Sequence, residues 1–257
     1  MSLPDRALRA FSFGEIADDY DKYRPGPSIE AARWILGEGR RSVLDLGAGT
    51  GGLTRSLVQF TPRVIAVEPD PRMRSVLTGR SDGAGVMGAV GERLPVVTAS
   101  MDGVVASSSW HWMDPALAGA EVARVLRPGG VFGLLWSGPD RRVSWVNDVI
   151  RRRRRTLADH GDHRQRRTMV LTHELPFSTP ETTVIRFSLT MDLDDLAGLS
   201  GTYSVVILGG GSERDARIAA VRERARLHPE IGDGPVELPM VCRCWRAYRT
   251  EGPSTAS

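Results

Sequence analysis

The chain has 257 residues, of which 41% are hydrophobic, 25% are charged and two are cysteine, which fits one α/β domain with a modest insertion and excludes a disulfide-rich scaffold. The net charge of +3 comes almost entirely from arginines interleaved with acids, lysine occurring only at Lys22, and so it gives no argument for nucleic acid. No apolar segment has the length of a signal peptide or of the ~18-residue membrane span, and we expect a cytoplasmic protein with no membrane contact.

The first part of the chain predicts two helices and then a glycine-rich turn. Residues 1–24 carry apolar side chains at helical spacing and stop before Pro25, and Ser28 is placed to cap a second helix. Val43 to Leu46 is typical of a buried strand. Glycines follow at positions 47, 49, 51 and 52, and a helix is predicted from Gly51 to Phe60.

Strands and helices then alternate at a regular pitch. Asp70-Pro71 is expected to open one helix, Pro115 another, and residues 127–130 form a tight turn. This alternation predicts a parallel, doubly wound sheet. The further strands are predicted at residues 63–67, 86–90, 102–107 and 131–136.

The pattern loosens after Ser137. A helix is expected to carry Val146 to Leu157 and the arginine run 151–155, and a longer helix is expected from Ser212 to His228, with Asp215 completing a capping box. Strands are predicted at 182–191 and 236–248, with a short helix at 193–199 between them. We expect one domain over 1–250, divided into lid helices (1–40), a cofactor-binding core (41–136), a substrate cap (137–205), a C-terminal helix and strand (206–250) and a disordered tail (251–257).

The strand, glycine turn and helix bring bare backbone N–H groups up to a ligand, and Gly47-x-Gly49-x-x-Gly52 matches the dinucleotide fingerprint by count. Asp45 stands at the strand end. Its carboxylate would repel a pyrophosphate by about 3 kcal/mol at ~6 Å and an effective dielectric near 20. A ligand with an ammonium and a sulfonium would be held instead, and S-adenosylmethionine has both cations and no phosphate.

The run Val43 to Gly51 resembles the first motif of the class I S-adenosylmethionine-dependent methyltransferases, and the likeness extends with specific motifs over about residues 11–136. It implies a Rossmann-like sheet of seven strands in the order 3-2-1-4-5-7-6, the last strand antiparallel, with a helical lid and an inserted cap. It also implies S-adenosylmethionine as cofactor and a small organic acceptor of the trans-aconitate, ubiquinone/menaquinone or secondary-metabolite kind.

Glu68 ends the second strand, where an acid can take both hydroxyls of a ribose. The segment Val90 to Pro95 is similar to the family's adenine-bordering segment, but Val90 replaces its leading acid and Gly91 its alanine, which removes one adenine contact. The residues expected to bind the cofactor are Tyr20, Arg24, Asp45, Gly47, Ala48, Gly49, Thr50, Glu68, Pro69, Met73, Val90, Gly91, Glu92 and Ser107.

The acceptor is expected beside the fourth strand, whose exit Ser109-Trp110-His111-Trp112-Met113-Asp114 resembles that of small-molecule methyltransferases. His111 is the candidate general base, because its ordinary pKa lies near working pH. For each aromatic residue of this segment, packing or shaping of the pocket remains an alternative to a direct role with the acceptor. The residues expected to bind the acceptor are Tyr23, Trp110, His111, Trp112 and Arg153, the last because it falls on an apolar helix face.

Other functions remain as alternatives. The cofactor could serve structurally in a non-methylation reaction, or the protein could be a non-catalytic partner. An NAD-dependent oxidoreductase is a further alternative, which the charge of Asp45 opposes. An RNA methyltransferase is less favoured, because the sequence shows no appended RNA-binding domain. Asp159 to His163 has a metal-like composition but is interpreted as a solvated loop, so no metal is expected. Cys242 and Cys244 are expected to be reduced, and the protein to be a monomer or homodimer.

Overall fold

The computed structural model describes residues 12–150, 171, 174–231 and 234–251. The strands of the described residues are β1 (Ser42–Leu46), β2 (Arg63–Val67), β3 (Ala84–Met87), β4 (Met101–Ser107), β5 (Leu126–Pro139), β6 (Glu181–Met191) and β7 (Val236–Tyr248). They form one sheet in the order β3-β2-β1-β4-β5-β7-β6. The first five strands run parallel, and β7 is antiparallel to both β5 and β6. The predicted strand order and the antiparallel last strand are confirmed.

Helices cover both faces of the sheet. They are α1 (Ala17–Tyr23), α2 (Ile29–Leu36), α3 (Thr54–Leu57), α4 (Pro71–Arg80), α5 (Pro115–Val125), α6 (Ser144–Val149), α7 (Leu193–Gly201), α8 (Ser204–Ile207) and α9 (Gly211–Arg226), with 3₁₀ turns at Ser12–Ile16 and Trp110–Trp112. No helix of the described part of the chain is long and apolar enough to cross a bilayer.

Side-chain caps fix where three of the helices begin. The Ser28 hydroxyl accepts a hydrogen bond from the Ala31 amide (3.1 Å), as predicted for the start of α2. The carboxylates of Asp70 and Asp114 accept in the same way at the starts of α4 and α5, each directly before a proline at the first helical position. These caps set the direction in which each helix leaves the sheet.

The core lies on both faces of β1, all of whose residues are buried. Leu44 and Leu46 pack on one face with α5, while Val43 packs on the other with α2 and α3. A third apolar cluster joins α6, α7 and α9 to the first residues of β7. Burial on both faces explains why β1 is an almost continuous apolar run, and it makes Asp45 in its midst an exception.

The helix after the glycine turn is shorter than predicted, covering Thr54–Leu57 rather than 51–60. Gly51 has φ +93°, which an α-helix cannot accommodate, so the helix starts later. At its other end the amides of Phe60 and Thr61 both donate to the Leu57 carbonyl, which closes the last turn.

Strand β3 begins two residues and ends three residues earlier than predicted, at Ala84–Met87 rather than 86–90. Among the described strands it pairs only with β2, whose last paired residue, Val67, lies opposite Met87. Beyond this point the Glu68 amide donates to Met87 O, and Pro69 has no N–H to continue the ladder. Residues 88–90 are therefore free to turn toward the ligand side.

Strand β5 is longer than predicted at both ends, covering Leu126–Pro139. The expected tight turn at 127–130 lies inside it as an irregularity, since Met101 faces Leu126 whereas Gly103 faces Val131. At the other end, pairing with β7 continues as far as Pro139 opposite Met240. Pairing with the antiparallel strand β7 thus extends β5 beyond the apolar run at residues 131–136.

Near the C-terminus the capping box predicted at Ser212 and Asp215 is wrong. Helix α9 begins at Gly211 after Gly210, whose φ is +86°, and it has no side-chain cap. The short helix α8 was not predicted. The predicted continuation of α6 to Leu157 lies outside the described residues.

Candidate active site

A cavity of about 1400 Å³ opens at the carboxyl ends of β1, β2, β4 and β5. This is where ligands bind in open α/β sheets. Its volume exceeds the roughly 300–1000 Å³ of an ordinary single-ligand pocket, so it can hold two molecules side by side. All residues predicted to bind a cofactor line it, namely Tyr20, Arg24, Asp45, Gly47, Ala48, Gly49, Thr50, Glu68, Pro69, Met73, Val90, Gly91, Glu92 and Ser107.

The glycine turn forms the floor of the cavity. Gly47 has φ +69°, and a Cβ built on it would lie 2.5 Å from the Cβ of Ser109. Both the backbone conformation and the lack of space therefore exclude a side chain at this position. The Gly47 and Ala48 amides both donate to the Val67 carbonyl, which holds the turn against β2. The turn is therefore rigid and presents backbone to the cavity.

Asp45 lies at the base of this floor and is fully buried. Its Oδ2 accepts a hydrogen bond of 2.6 Å from the Thr54 hydroxyl, whereas Oδ1 is buried and has no hydrogen-bond partner among the described residues. Burial, opposed by the hydrogen bond from Thr54, and to a lesser extent the charge of Glu68 together raise the pKa of Asp45 to about 7. A carboxylate oxygen left bare in a ligand cavity is the arrangement expected of a site for a cation.

Glu68 is held rigidly at the end of β2. Its Oε2 accepts from the Gly49 amide and its Oε1 from the Asp70 amide, both at 2.9 Å. Burial raises the pKa of Glu68, and the two backbone hydrogen bonds oppose that rise. Each oxygen keeps a further lone pair for a ligand hydroxyl.

Residues 89–92 form the border next to Glu68. Val90 is 47% exposed, and a Cβ on Gly91 would lie 2.5 Å from the Met113 sulfur. The Glu92 carboxylate accepts a 2.8 Å hydrogen bond from the Asp114 amide, which ties this border to the start of α5. A larger residue at position 91 would therefore require the Met113 side chain to move.

The segment after β4 crosses the top of the glycine turn. Ser108 has φ +57°, unusual for a residue with a side chain, and its amide donates to the Leu135 carbonyl at 2.8 Å. The Ser109 hydroxyl donates to the Leu46 carbonyl at 2.6 Å. Together these bonds fix the following 3₁₀ turn relative to β1 and β5.

The 3₁₀ turn separates two tryptophans that were given the same prediction. His111 and Trp112 line the cavity, with ring centroids 4.5 Å apart, and Trp112 also meets Phe13 edge to face. Trp110 does not line it: the side chain is buried, and its ring lies 4.9 Å from that of Phe132 in the core. The expected acceptor role of Trp110 is therefore corrected to core packing.

The N-terminal segment covers the cavity from outside. Tyr20 and Arg24 line it, and the Arg24 guanidinium lies 5.7 Å from the Tyr20 ring centroid and 5.2 Å from that of Tyr203. Tyr23, also expected at the acceptor, points elsewhere. Its ring packs on Gly198 of α7, where a Cβ would lie 2.5 Å away, so its predicted role is corrected to packing.

Ion pairs hold α1 in this position. The Asp21 side chain is only 5% exposed and pairs with Arg55 (3.0 Å) and Arg80 (3.2 Å). Asp19 pairs with Arg214 of α9. The segment is thus connected to elements on both sides of the cavity, and residues 12–27 are referred to below as the lid.

Comparison with known proteins decides the family. Residues 44–134 match the methyltransferase domain family. An uncharacterized methyltransferase of Mycobacterium tuberculosis is 35% identical over 239 residues, which cover 93% of this chain and 96% of the relative. The chain belongs to the class I S-adenosylmethionine-dependent methyltransferases. The predicted family and cofactor are confirmed.

Solved structures show the same fold for this methyltransferase. A candidate type II methyltransferase from Anaeromyxobacter dehalogenans superposes with a TM-score of 0.61 at 24% identity, covering 88% of this chain and 98% of that one. A Haemonchus contortus phosphoethanolamine N-methyltransferase, in complex with phosphomonomethylethanolamine and S-adenosylhomocysteine, gives 0.57 at 13% identity, covering 98% and 61%.

Some residues that line the methyltransferase cavity were not predicted. They come from β5, α8 and β7, and the most notable are Trp136, Tyr203, Arg243 and Trp245. Trp136 and Trp245 meet edge to face with ring centroids 5.0 Å apart. The signal that could have found them is the alternation along β7: Cys242 and Cys244 are buried on one face, which puts Arg243 and Trp245 on the other.

Two earlier interpretations cannot be placed. Arg153 and the segment Asp159 to His163 lie outside the described residues. Within the described part of the chain, no group of three or more histidine, cysteine, aspartate or glutamate side chains is suited to holding a metal. Cys242 and Cys244 are unbridged, with sulfurs 3.7 Å apart.

Proposed function

We propose that this methyltransferase transfers a methyl group from S-adenosylmethionine to an oxygen, nitrogen or carbon atom of a small organic acceptor by direct displacement. One observation carries the proposal. A fully buried carboxylate, Asp45, keeps one oxygen that no described residue hydrogen-bonds, at the floor of a cavity large enough for two ligands.

The residues of the cavity fit the cofactor piece by piece. Asp45 would hold the methionine ammonium, and Arg24, on the lid, its carboxylate. Glu68, fixed by two backbone amides, would hold the ribose hydroxyls. Val90 and Gly91 would border the adenine, with Met73 beneath it. The two carboxylates beside the glycine turn oppose a diphosphate, because two unit charges at ~6 Å repel by about 3 kcal/mol.

The bound cofactor supplies a methyl group already activated on a sulfonium, and so the protein's task is mainly to align the acceptor. Alignment of two reactants in a fixed geometry can lower a barrier by roughly 7–11 kcal/mol. The rigid segment after β4 places His111 and Trp112 at the cavity wall for this purpose. His111 takes the acceptor's proton where the acceptor atom carries one.

A small acceptor is favoured by how the cavity is enclosed. The lid closes it on one side and residues 202–209 close it on another. The Haemonchus contortus enzyme of the same fold holds a small phosphorylated amine together with S-adenosylhomocysteine, which supports the same arrangement here.

The test is calorimetric titration with S-adenosylhomocysteine and, separately, with NAD. We expect S-adenosylhomocysteine to bind and NAD not to, and we expect release of S-adenosylhomocysteine when the protein is incubated with S-adenosylmethionine and a panel of small phenols, amines and acids. Tighter binding of NAD would overturn the proposal. Donor binding without turnover of any acceptor would favour a structural role for the cofactor.

A further inference from the structure

We infer that the acceptor is an apolar molecule bearing a carboxylate, and that Arg243 of β7 binds this carboxylate. The inference rests on the proposed function and names the substrate class of the same site. Arg243 lines the cavity and its side chain is exposed. It has no hydrogen bond, ion pair or ring contact with any described residue.

The register of the sheet determines where Arg243 stands. It faces Trp136 on β5 and Val184 on β6, and Trp245 follows two residues later on the same face. Directly paired residues point to the same side of a sheet, so the guanidinium rises between apolar side chains. Other arginines of this strand region are engaged: Arg246 pairs with Glu181 at 2.7 Å. Arg243 therefore lines the cavity as a cation with which no described side chain pairs.

Charge divides the cavity into two ends. Asp45 and Glu68 lie at the end formed by β1 and β2, which suits a cationic cofactor. Arg243 lies across the sheet, beyond β4 and β5. Two other acids line the cavity: Glu92, which accepts from the Asp114 amide, and Glu213 on α9. Neither forms an ion pair with Arg243.

Apolar side chains lie beside Arg243 on its face of the sheet, since Trp136 and Val184 pair with it and Trp245 follows two residues later. Besides the two tryptophans, the cavity exposes aliphatic side chains that a folded protein would ordinarily cover, namely Leu117 (54% exposed), Val205 (42%) and Leu208 (44%). A ligand that covers these side chains gains from the removal of apolar surface from water. A cation set in such a wall fits an aromatic or aliphatic acid better than a sugar or a phosphate ester.

The experiment uses the full chain saturated with S-adenosylhomocysteine and two probes of the same shape, naphthalene-2-carboxylate and naphthalene-2-carboxamide. Binding is followed by quenching of tryptophan fluorescence, since Trp136 and Trp245 line the proposed site. We expect the acid to bind roughly 10- to 100-fold more tightly than the amide, the range for a charge-assisted hydrogen bond.

Two variants assign the effect. Arg243→Gln should lose roughly 10- to 100-fold in affinity for the acid and change little for the amide. Arg226→Gln removes the same charge at the exposed end of α9, outside the cavity, and should change neither. Calorimetry with S-adenosylhomocysteine on each variant checks that the cofactor end is intact.

The outcomes separate the two proposals. Equal binding of acid and amide, equal loss of both in Arg243→Gln, or binding of S-adenosylhomocysteine with no binding of either probe overturns the inference and leaves the proposed function standing. Failure of S-adenosylhomocysteine itself to bind overturns the proposed function.

Discussion

Replacing Asp45 by asparagine should stabilise the cofactor-free protein and weaken cofactor binding. The carboxyl group has a pKa near 7 in the folded protein against an ordinary value of 3.8, because it is buried. A group whose pKa is raised by folding contributes stability below its unfolded pKa and loses it as pH rises through the folded one. At about pH 8 the ionised, buried carboxylate therefore costs stability.

The size of the effect follows from the two pKa values. Their difference corresponds to about 4 kcal/mol at a pH above both. Asparagine removes this cost, but it puts an amide nitrogen or oxygen where Oδ1 now lies without a partner, which costs about 1–3 kcal/mol. The net expectation at about pH 8 is a gain of roughly 1–3 kcal/mol in the free energy of unfolding. Near pH 4 the folded carboxyl group is protonated, so the cost of ionisation is almost absent and asparagine should destabilise the protein by roughly 1–2 kcal/mol; the comparison is therefore made at about pH 8.

Cofactor binding should move in the opposite direction. The loss of a charged partner for the ammonium should weaken S-adenosylhomocysteine binding by roughly 10- to 100-fold. In the wild type, protonation of Asp45 should weaken binding by about tenfold between about pH 8 and about pH 6, and Asp45→Asn should abolish this dependence. Urea denaturation without ligand and calorimetry at several pH values measure the two effects.

Asp102→Asn is the matched control. Asp102 lies on β4 next to β1 but at the opposite end, outside the cavity. Burial raises the pKa of Asp102, but hydrogen bonds from the Ser42 amide, Arg127 and the Arg41 amide outweigh it and lower the pKa below its ordinary value. Asparagine there should destabilise the protein and leave cofactor affinity unchanged. If Asp45→Asn destabilises the protein as Asp102→Asn does, or binds the cofactor as wild type does, the reasoning about the buried carboxylate is refuted.

Three further tests, which use five substitutions, examine the surroundings of the site. Gly47→Ala should lower the free energy of unfolding by about 2–4 kcal/mol, from the left-handed backbone and the missing space, while Gly79→Ala on helix α4 should be neutral or slightly stabilising in the same denaturation assay. Trp110→Leu should lower stability by about 2–4 kcal/mol, whereas Trp112→Leu should leave stability nearly unchanged and weaken binding of naphthalene-2-carboxylate; the reverse pattern would contradict the assignment of the two rings. Asp21→Asn should cost only about 1 kcal/mol, because its arginine partners are half-exposed, but it should speed dissociation of S-adenosylhomocysteine in stopped-flow measurements, and an unchanged rate would show that the lid does not retain the ligand.

The cofactor half of the molecule was predictable because its signals are local. An apolar run that is buried on both faces identifies β1. The glycines that follow identify the turn, and the acid at the end of the strand, Asp45, indicates a positively charged ligand. The position of Asp45 could thus be predicted from adjacent residues. Its charge state could not, because the raised pKa depends on burial by α3 and on Glu68, which come from elsewhere in the chain.

The two tryptophans show where local patterns fail. Trp110 and Trp112 flank one histidine in a 3₁₀ turn, where successive side chains are rotated by about 120°. Which of them turns inward depends on Phe132 of β5, which receives the ring of Trp110. Sequence spacing gives both residues the same prediction, and only the packed turn separates them.

Part of the proposed acceptor end was not predicted, for a similar reason. Trp136 and Arg243 are far apart in sequence and face each other only through the antiparallel register of β5 and β7. The pattern predicted β7 with its observed bounds but assigned no partner to its side chains. The alternation of residues along β7 indicates which face of the strand carries Arg243. Which side chains lie beside it on that face follows only from the pairing of β7 with its neighbouring strands.

The position of β7 has a consequence for synthesis on the ribosome. It is the last of the described strands in chain order, yet it sits between β5 and β6. Until residues 236–248 emerge, β6 has no neighbour to join, and the edge of β5 stays open to wrong partners. A nascent chain can therefore form the part of the sheet that binds the methyl donor before β7 is available to complete the part proposed to bind the acceptor.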